Sequence, residues 1–366
     1  MKAVAVFPGE KRFGVIDHAE PGPIGPREVR LRMLDVGICG TDKEIAAFEY
    51  GTPPDGFDYL VIGHESLGEV VEAGAAVDGF QPGDLAIPSV RRPCAHDRCT
   101  ACRAGRQDFC FTGDFVERGI KQAHGFMTEF VVEDSGYLNA VPRSLRDVAV
   151  LVEPLTIAEK GMEQVWQVQK RLPWIGSHGT YDHVALVLGA GPVGLLGAMK
   201  LVSEGFRTFV YSRSSGSESR DDIVRGIGAT WLPAEEIPVA NLFEAMGGAV
   251  DVVYEAVGAS SLAFEVLHNL DANGVFVFTG VPGRKAPVQV DTDRLMRNLV
   301  LKNQVLFGTV NADRGAFDSA IRDMETFARR WPKELGMVIT NRVPIARAAE
   351  PLAGKLPGIK TVISIG

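Results

Sequence analysis

Residues 1 to about 90 alternate short apolar runs with Gly, Pro and Asp turns. Val29-Arg30-Leu31-Arg32-Met33-Leu34 and Gly68-Glu69-Val70-Val71-Glu72-Ala73-Gly74 are examples, and the second leads through Gly79-Phe80-Gln81-Pro82-Gly83-Asp84 into another strand. This is the texture of a compact, mostly antiparallel β barrel. Residues 111 to 157 return to strands and turns, with Gly125 to Val132 as a clear strand. Apolar residues at helical spacing then predict a helix from 158 to about 170, broken by Pro173, Gly176 and Gly179.

At His183-Val184-Ala185-Leu186-Val187-Leu188 the pattern changes to a continuous apolar run, as in a strand buried on both faces. It runs directly into Gly189-Ala190-Gly191-Pro192-Val193-Gly194 and a helix from Leu195 to Glu204. Glycines at these positions permit a tight turn, let the backbone approach a pyrophosphate, and pack helix on strand. Further strands are predicted at 208–211, 250–255, 274–278 and 305–310, alternating with helical segments. The fold class is therefore α/β, with a doubly wound parallel sheet of Rossmann type beside the barrel. Phe317 to Trp331 predicts a late helix, and Thr361 to Ile365 a last strand.

A chain of 366 residues is too long for one simple core and suits two domains. A net charge of −8 with no basic stripe argues against nucleic acid and against an anionic membrane surface. No apolar run reaches the roughly 18 residues of a spanning helix. The first residues read as a strand, without the pattern of a signal peptide, so a cytoplasmic enzyme is expected.

Candidate chemistry begins at Gly63-His64-Glu65. With Cys39 upstream and Glu153 downstream, the chain offers one thiolate, one imidazole and one or two carboxylates, a donor set that suits a catalytic zinc. Cys94, Cys99, Cys102 and Cys110 form a second set, closed and tetrahedral, as in a structural zinc site. His96 lies inside the first gap, but four thiolates suffice. Cofactor residues are Gly189, Gly191, Pro192, Val193 and Gly194 on the turn, and Ser212, Arg213 and Ser214 after the second strand. That strand end carries no Asp or Glu for the ribose hydroxyls, while Arg213 offers a guanidinium to a 2′-phosphate. NADP is expected in preference to NAD.

Gly63-His64-Glu65 followed by Gly68, Gly74 and Val77, together with Cys39-Gly40-Thr41-Asp42, resembles the zinc-dependent medium-chain dehydrogenases. Glu153-Pro154-Leu155 resembles the third-ligand segment of their polyol and sugar branches. The resemblance spans nearly the whole chain. Gly40-Thr41-Asp42-Lys43-Glu44, Val90-Arg91-Arg92-Pro93, Phe115 to Ile120 and Gly308-Thr309-Val310-Asn311 resemble the microbial glucose 1-dehydrogenase branch.

The resemblance implies a GroES-like catalytic domain at 1–157 and 308–366, with the cysteine lobe at 94–110, and a nucleotide-binding domain at 158–307. It implies two zinc ions: one on Cys39, His64 and Glu153, with Glu65 as fourth ligand or neighbour, and one on the four cysteines. Asp42 is expected to orient His64 through its second ring nitrogen, and Thr41 to take the substrate proton. Thr41, Glu117, Glu153 and Asn311 are expected to bind the sugar, D-glucose, oxidised at C1 to the lactone. Another polyol, cyclitol or secondary alcohol is the alternative substrate. A homodimer or homotetramer is the expected assembly.

Overall fold

The structure is a computed structural model that describes residues 1–174, 183–213, 218–283 and 287–366. It divides into two compact units, one of Met1–Thr156, Asn311–Ala328 and Ile339–Gly366, the other of Ile157–Val310 and Arg329–Val338. No helix among the described residues is long and apolar enough to cross a membrane.

The first unit is built on the strand Glu28–Gly37, whose Val29, Leu31, Met33 and Val36 are buried. It pairs antiparallel with Glu65–Ala73 and Phe130–Asp134, and near its end with Lys360–Ser364. Gly37 stands opposite Glu65 on one side and Val362 on the other. This register decides the site. Cys39 lies just past the end of the central strand, and His64 just before the start of its neighbour, so the two meet although 24 residues separate them. The last strand enters the sheet beside them.

The Gly63 backbone has φ +91°, a conformation that favours glycine. Its carbonyl oxygen lies where a Cβ on Gly119 or Gly125 would fall, so three backbones cross with no side chain between them. That crossing fixes the residue before His64.

The second unit holds a six-stranded parallel sheet: Val184–Leu188, Arg207–Ser212, Thr230–Pro233, Val252–Glu255, Val275–Phe278 and Val305–Gly308. Numbered along the chain, their spatial order is third, second, first, fourth, fifth, sixth, the doubly wound order. All five residues of the first strand are buried, as its unbroken apolar run predicts.

The structure departs from the pattern reading in several places, and the strand expected at Gly125 to Val132 is confined to Phe130–Asp134. The short strand Thr230–Pro233 escapes that reading, because four residues ending in proline show no periodicity. The helix expected from 158 begins at Val152 and runs to Gln169. Pro154 reads as a breaker but sits in the first turn, where its missing N–H costs no hydrogen bond. Residues 329–338 group with the second unit, where the helix Pro332–Val338 packs on Glu218–Gly226.

Candidate active site

Cys39 caps the short helix Gly40–Ala46. Its N–H donates to Asp42 Oδ2 at 2.8 Å, and Gly63 N–H donates to Asp42 Oδ1 at 3.2 Å. One fully buried carboxylate therefore ties together the two loops that carry Cys39 and His64. This corrects the expected role of Asp42. Its oxygen stands 3.6 Å from His64 Nδ1, beyond a hydrogen bond, while each of its oxygens accepts from a backbone amide. Asp42 places the ligand backbones rather than the ring.

A Cys39 sulfur, a His64 ring nitrogen and a Glu65 carboxylate oxygen lie within 4.8 Å of one another. A tetrahedral zinc with bonds of about 2.0–2.3 Å holds its donors roughly 3.5 Å apart, so small shifts close this set around an ion. His64 Nδ1 is buried and has no hydrogen-bond partner, a cost that a partner would remove. Burial opposes charge on the ring, but Asp42 and Cys39 hold His64 well above its ordinary pKa. The donor chemistry fits a metal cation.

Glu153 is half-buried in the first turn of Val152–Gln169 and lies outside that compact set. Burial pushes its carboxyl up to about 7; Glu65 and Asp42 add to the rise, while His64 and Lys360 oppose it. A divalent cation nearby would favour its ionised form. Thr41 Oγ1 lies 3.9 Å from Cys39 Sγ, beside the donor set.

Lys360 went unseen in the sequence. It is 2% exposed, and its Nζ bonds Glu65 Oε2 and, at 3.1 Å, the carbonyl oxygen of Ile38. The Glu65 carboxylate lies where a Cβ on Gly37 would fall, so only glycine leaves room for the pair. Burial opposes the ammonium, but Glu65, Cys39 and Glu153 hold its pKa above the ordinary value.

Glu117 and Asn311 meet. Asn311 Nδ2 donates to Glu117 Oε1 at 2.8 Å, and Asn311 Oδ1 accepts from Ala312 N at 2.9 Å. Asn311 has φ +59°, in the left-handed region that asparagine tolerates better than most residues. Glu117 is 5% exposed, and Arg91 also bonds it.

The sulfurs of Cys94, Cys99, Cys102 and Cys110 converge, all within 4.8 Å of one another. Backbone N–H groups of Cys102 and Phe111 hold the Cys99 thiol below its ordinary pKa. Burial opposes ionisation of Cys110, yet Thr112 and Gly113 bring it down to about 6. Burial and the neighbouring sulfurs push Cys102 up to about 12, so four thiolates need a cation among them. His96 turns to Asp114 instead.

On the dinucleotide turn, Gly189 has φ +98°, and its N–H donates to Tyr211 O at 2.9 Å. Gly194 packs on the Gly189 carbonyl, where a Cβ would clash. A Cβ on Gly191 would meet nothing within 4 Å, so the space at the N-terminus of the helix Pro192–Ser203 is open to a phosphate. Pro192 occupies the first helical turn, followed by Val193. Ser212 ends the second strand half-buried, and Arg213 is exposed beyond it. Ser214 lies outside the described residues.

Residues 25–143 match the family described as Alcohol dehydrogenase GroES-like domain, and residues 146–365 the one described as Glucose dehydrogenase C-terminus. The chain is 40% identical to the glucose 1-dehydrogenase of Methanocella arvoryzae over 367 residues, covering 100% of both. It is 38% identical to that of Metallosphaera sedula, over 99% of this chain and 98% of the other. The structure is similar to that of Haloferax mediterranei glucose dehydrogenase in complex with NADP, Zn and gluconolactone. The TM-score is 0.87 at 32% identity, over 100% of this chain and 99% of that one. The chain belongs to the zinc-dependent medium-chain dehydrogenase family, in the group that holds the glucose dehydrogenases.

Proposed function

We propose that this chain is an NAD(P)-linked glucose 1-dehydrogenase that oxidises D-glucose at C1 to the lactone. The observation that carries the reading is the fixed polar pair Glu117–Asn311, in the same unit as Cys39, His64 and Glu65. A pocket for a simple alcohol needs one polar point, whereas a sugar needs several with set geometry.

Cys39, His64, Glu65 and Glu153 would hold the catalytic zinc, and the four cysteines a structural one. Zinc supplies a Lewis acid that lowers the pKa of a substrate hydroxyl, and a nicotinamide supplies the hydride acceptor. Thr41 takes the hydroxyl proton. Glu117 accepts from sugar hydroxyls, and the second N–H of Asn311 Nδ2 remains for a substrate oxygen. Gly189, Gly191, Pro192, Val193 and Gly194 carry the pyrophosphate. Ser212, Arg213 and Ser214 receive the 2′-phosphate. The proposal includes a catalytic domain at 1–157 and 308–366 around a nucleotide domain at 158–307, a homodimer or homotetramer, and a cytoplasmic location.

Steady-state rates with NADP on glucose, xylose, sorbitol, inositol and 2-propanol test the reading. An aldose is expected to lead, because buried groups built for a hydroxyl reject an analogue that leaves them unpaired. A tenfold or greater lead for sorbitol, inositol or the alcohol would replace glucose by the polyol or alcohol reading. For the cofactor, Arg213→Ala is expected to raise the KM for NADP about tenfold, the worth of one charge-assisted contact, and to leave that for NAD within twofold. An equal rise for both would remove Arg213 from the phosphate site.

A further inference from the structure

Arg91 lies in a short strand paired with Val116–Arg118, directly opposite Glu117. It is 6% exposed. Its Nε donates to Glu117 Oε1 at 3.0 Å, and its Nη2 stands 2.9 Å from the same oxygen. Asn311 Nδ2 reaches that oxygen too. Oε1 thus accepts two hydrogen bonds and takes a close guanidinium contact, while no donor among the described residues reaches Oε2. A carboxylate with one oxygen fully engaged is held in orientation and keeps the other for a donor that arrives with a ligand.

Arg91 is itself anchored from the other side. Its Nη1 donates to the carbonyl oxygens of Asp108 at 3.2 Å and Gln107 at 3.4 Å. Its guanidinium lies 3.7 Å over the Phe115 ring. Gln107 and Asp108 belong to the cysteine lobe, between Cys102 and Cys110. A planar fork with five donors can span a carboxylate and two carbonyls at once, which an ammonium cannot. A buried ion pair is a weak source of net stability, since desolvation offsets most of the attraction. What this one provides is position.

We propose that Arg91 is a positioning residue for substrate recognition: it clamps one oxygen of Glu117, sets the other for a sugar hydroxyl, and takes its own anchor from the cysteine lobe. This rests on the glucose reading for the identity of the substrate. Its test is a double-mutant cycle on Arg91→Met, Glu117→Gln and the double variant, run with NADP on whichever compound leads the substrate panel.

Arg91→Met is expected to raise the substrate KM about tenfold, with the KM for NADP within twofold. The double variant is expected to match Glu117→Gln alone within about twofold, because a residue that acts through another adds nothing once that other is changed. Arg91→Lys keeps the charge without the fork, is expected to show the same KM rise in smaller measure, and carries the cycle if Arg91→Met fails to fold. Losses that multiply in the double variant would overturn the proposal, as would a KM for NADP that rises in step with the substrate's. If a polyol or alcohol leads the panel, the glucose reading falls while the cycle still measures the coupling of Arg91 to Glu117.

Discussion

His64→Ala is expected to remain folded and to turn over at least about a thousandfold more slowly than the wild type. Lewis-acid catalysis contributes several kcal/mol to the transition state, and about 4 kcal/mol corresponds to three decades of rate. The fold survives because the contacts that place this loop are not made by the ring. Asp42 holds the backbone amides of Cys39 and Gly63, and the Gly63 carbonyl packs on Gly119 and Gly125. His64 Nδ1 makes no hydrogen bond that the variant would lose. Elemental analysis beside kcat checks the result: two zinc ions per chain in the wild type, and one in the variant, retained by the four cysteines. One zinc per chain in fully active wild type would refute the two-site reading. A variant that keeps more than a tenth of the wild-type kcat would remove His64 from the catalytic metal.

The parts of this site that the sequence discloses are those whose chemistry is local. Gly189 to Gly194 stand directly after a run of five buried residues, and Gly194 answers a requirement of Gly189, whose carbonyl it packs on. Cys94 to Cys110 close on themselves within one lobe. Cys39-Gly40-Thr41-Asp42 and Gly63-His64-Glu65 are each recognisable, yet the register that joins them, Gly37 opposite Glu65, is a property of the sheet. Asp42 illustrates the limit. A carboxylate near a histidine suggests a pair by residue type, and only the fold discloses that two backbone amides claim it first. Arg91 and Arg92 are adjacent and of one type, but Arg91 faces Glu117 and Arg92 faces Glu133. Lys360 is the extreme case. A lysine at the start of a strand ordinarily reads as solvated, and its partner lies 295 residues away along the chain.

Lys360→Met is expected to destabilise metal-free protein by about 3–5 kcal/mol, the usual cost of removing one partner of a buried pair. The cost arises from Glu65, left 1% exposed without the ammonium that bonds it. Methionine fills much of the space of the lysine stem, so the loss reports the charge rather than a cavity. The charge of Lys360 itself is steady over a wide range of pH. The Lys360 pKa lies above the ordinary 10.5 in the folded protein. The contribution of its charge is therefore fully present below the unfolded value and is lost only as pH rises through the folded one. Zinc at Cys39, His64 and Glu65 changes the expectation. A divalent ion beside Glu65 supplies the positive charge that Lys360 no longer does, and the loss is expected to fall to roughly half or less of its metal-free size. Urea unfolding of wild type and variant, each in zinc-loaded and chelator-treated form, gives both differences. Taking each difference within one metal state cancels the contribution of the cysteine lobe, which is common to both proteins. The same destabilisation in both states would place Glu65 with Lys360 alone, and leave Cys39, His64 and Glu153 as the protein's donors to the catalytic ion.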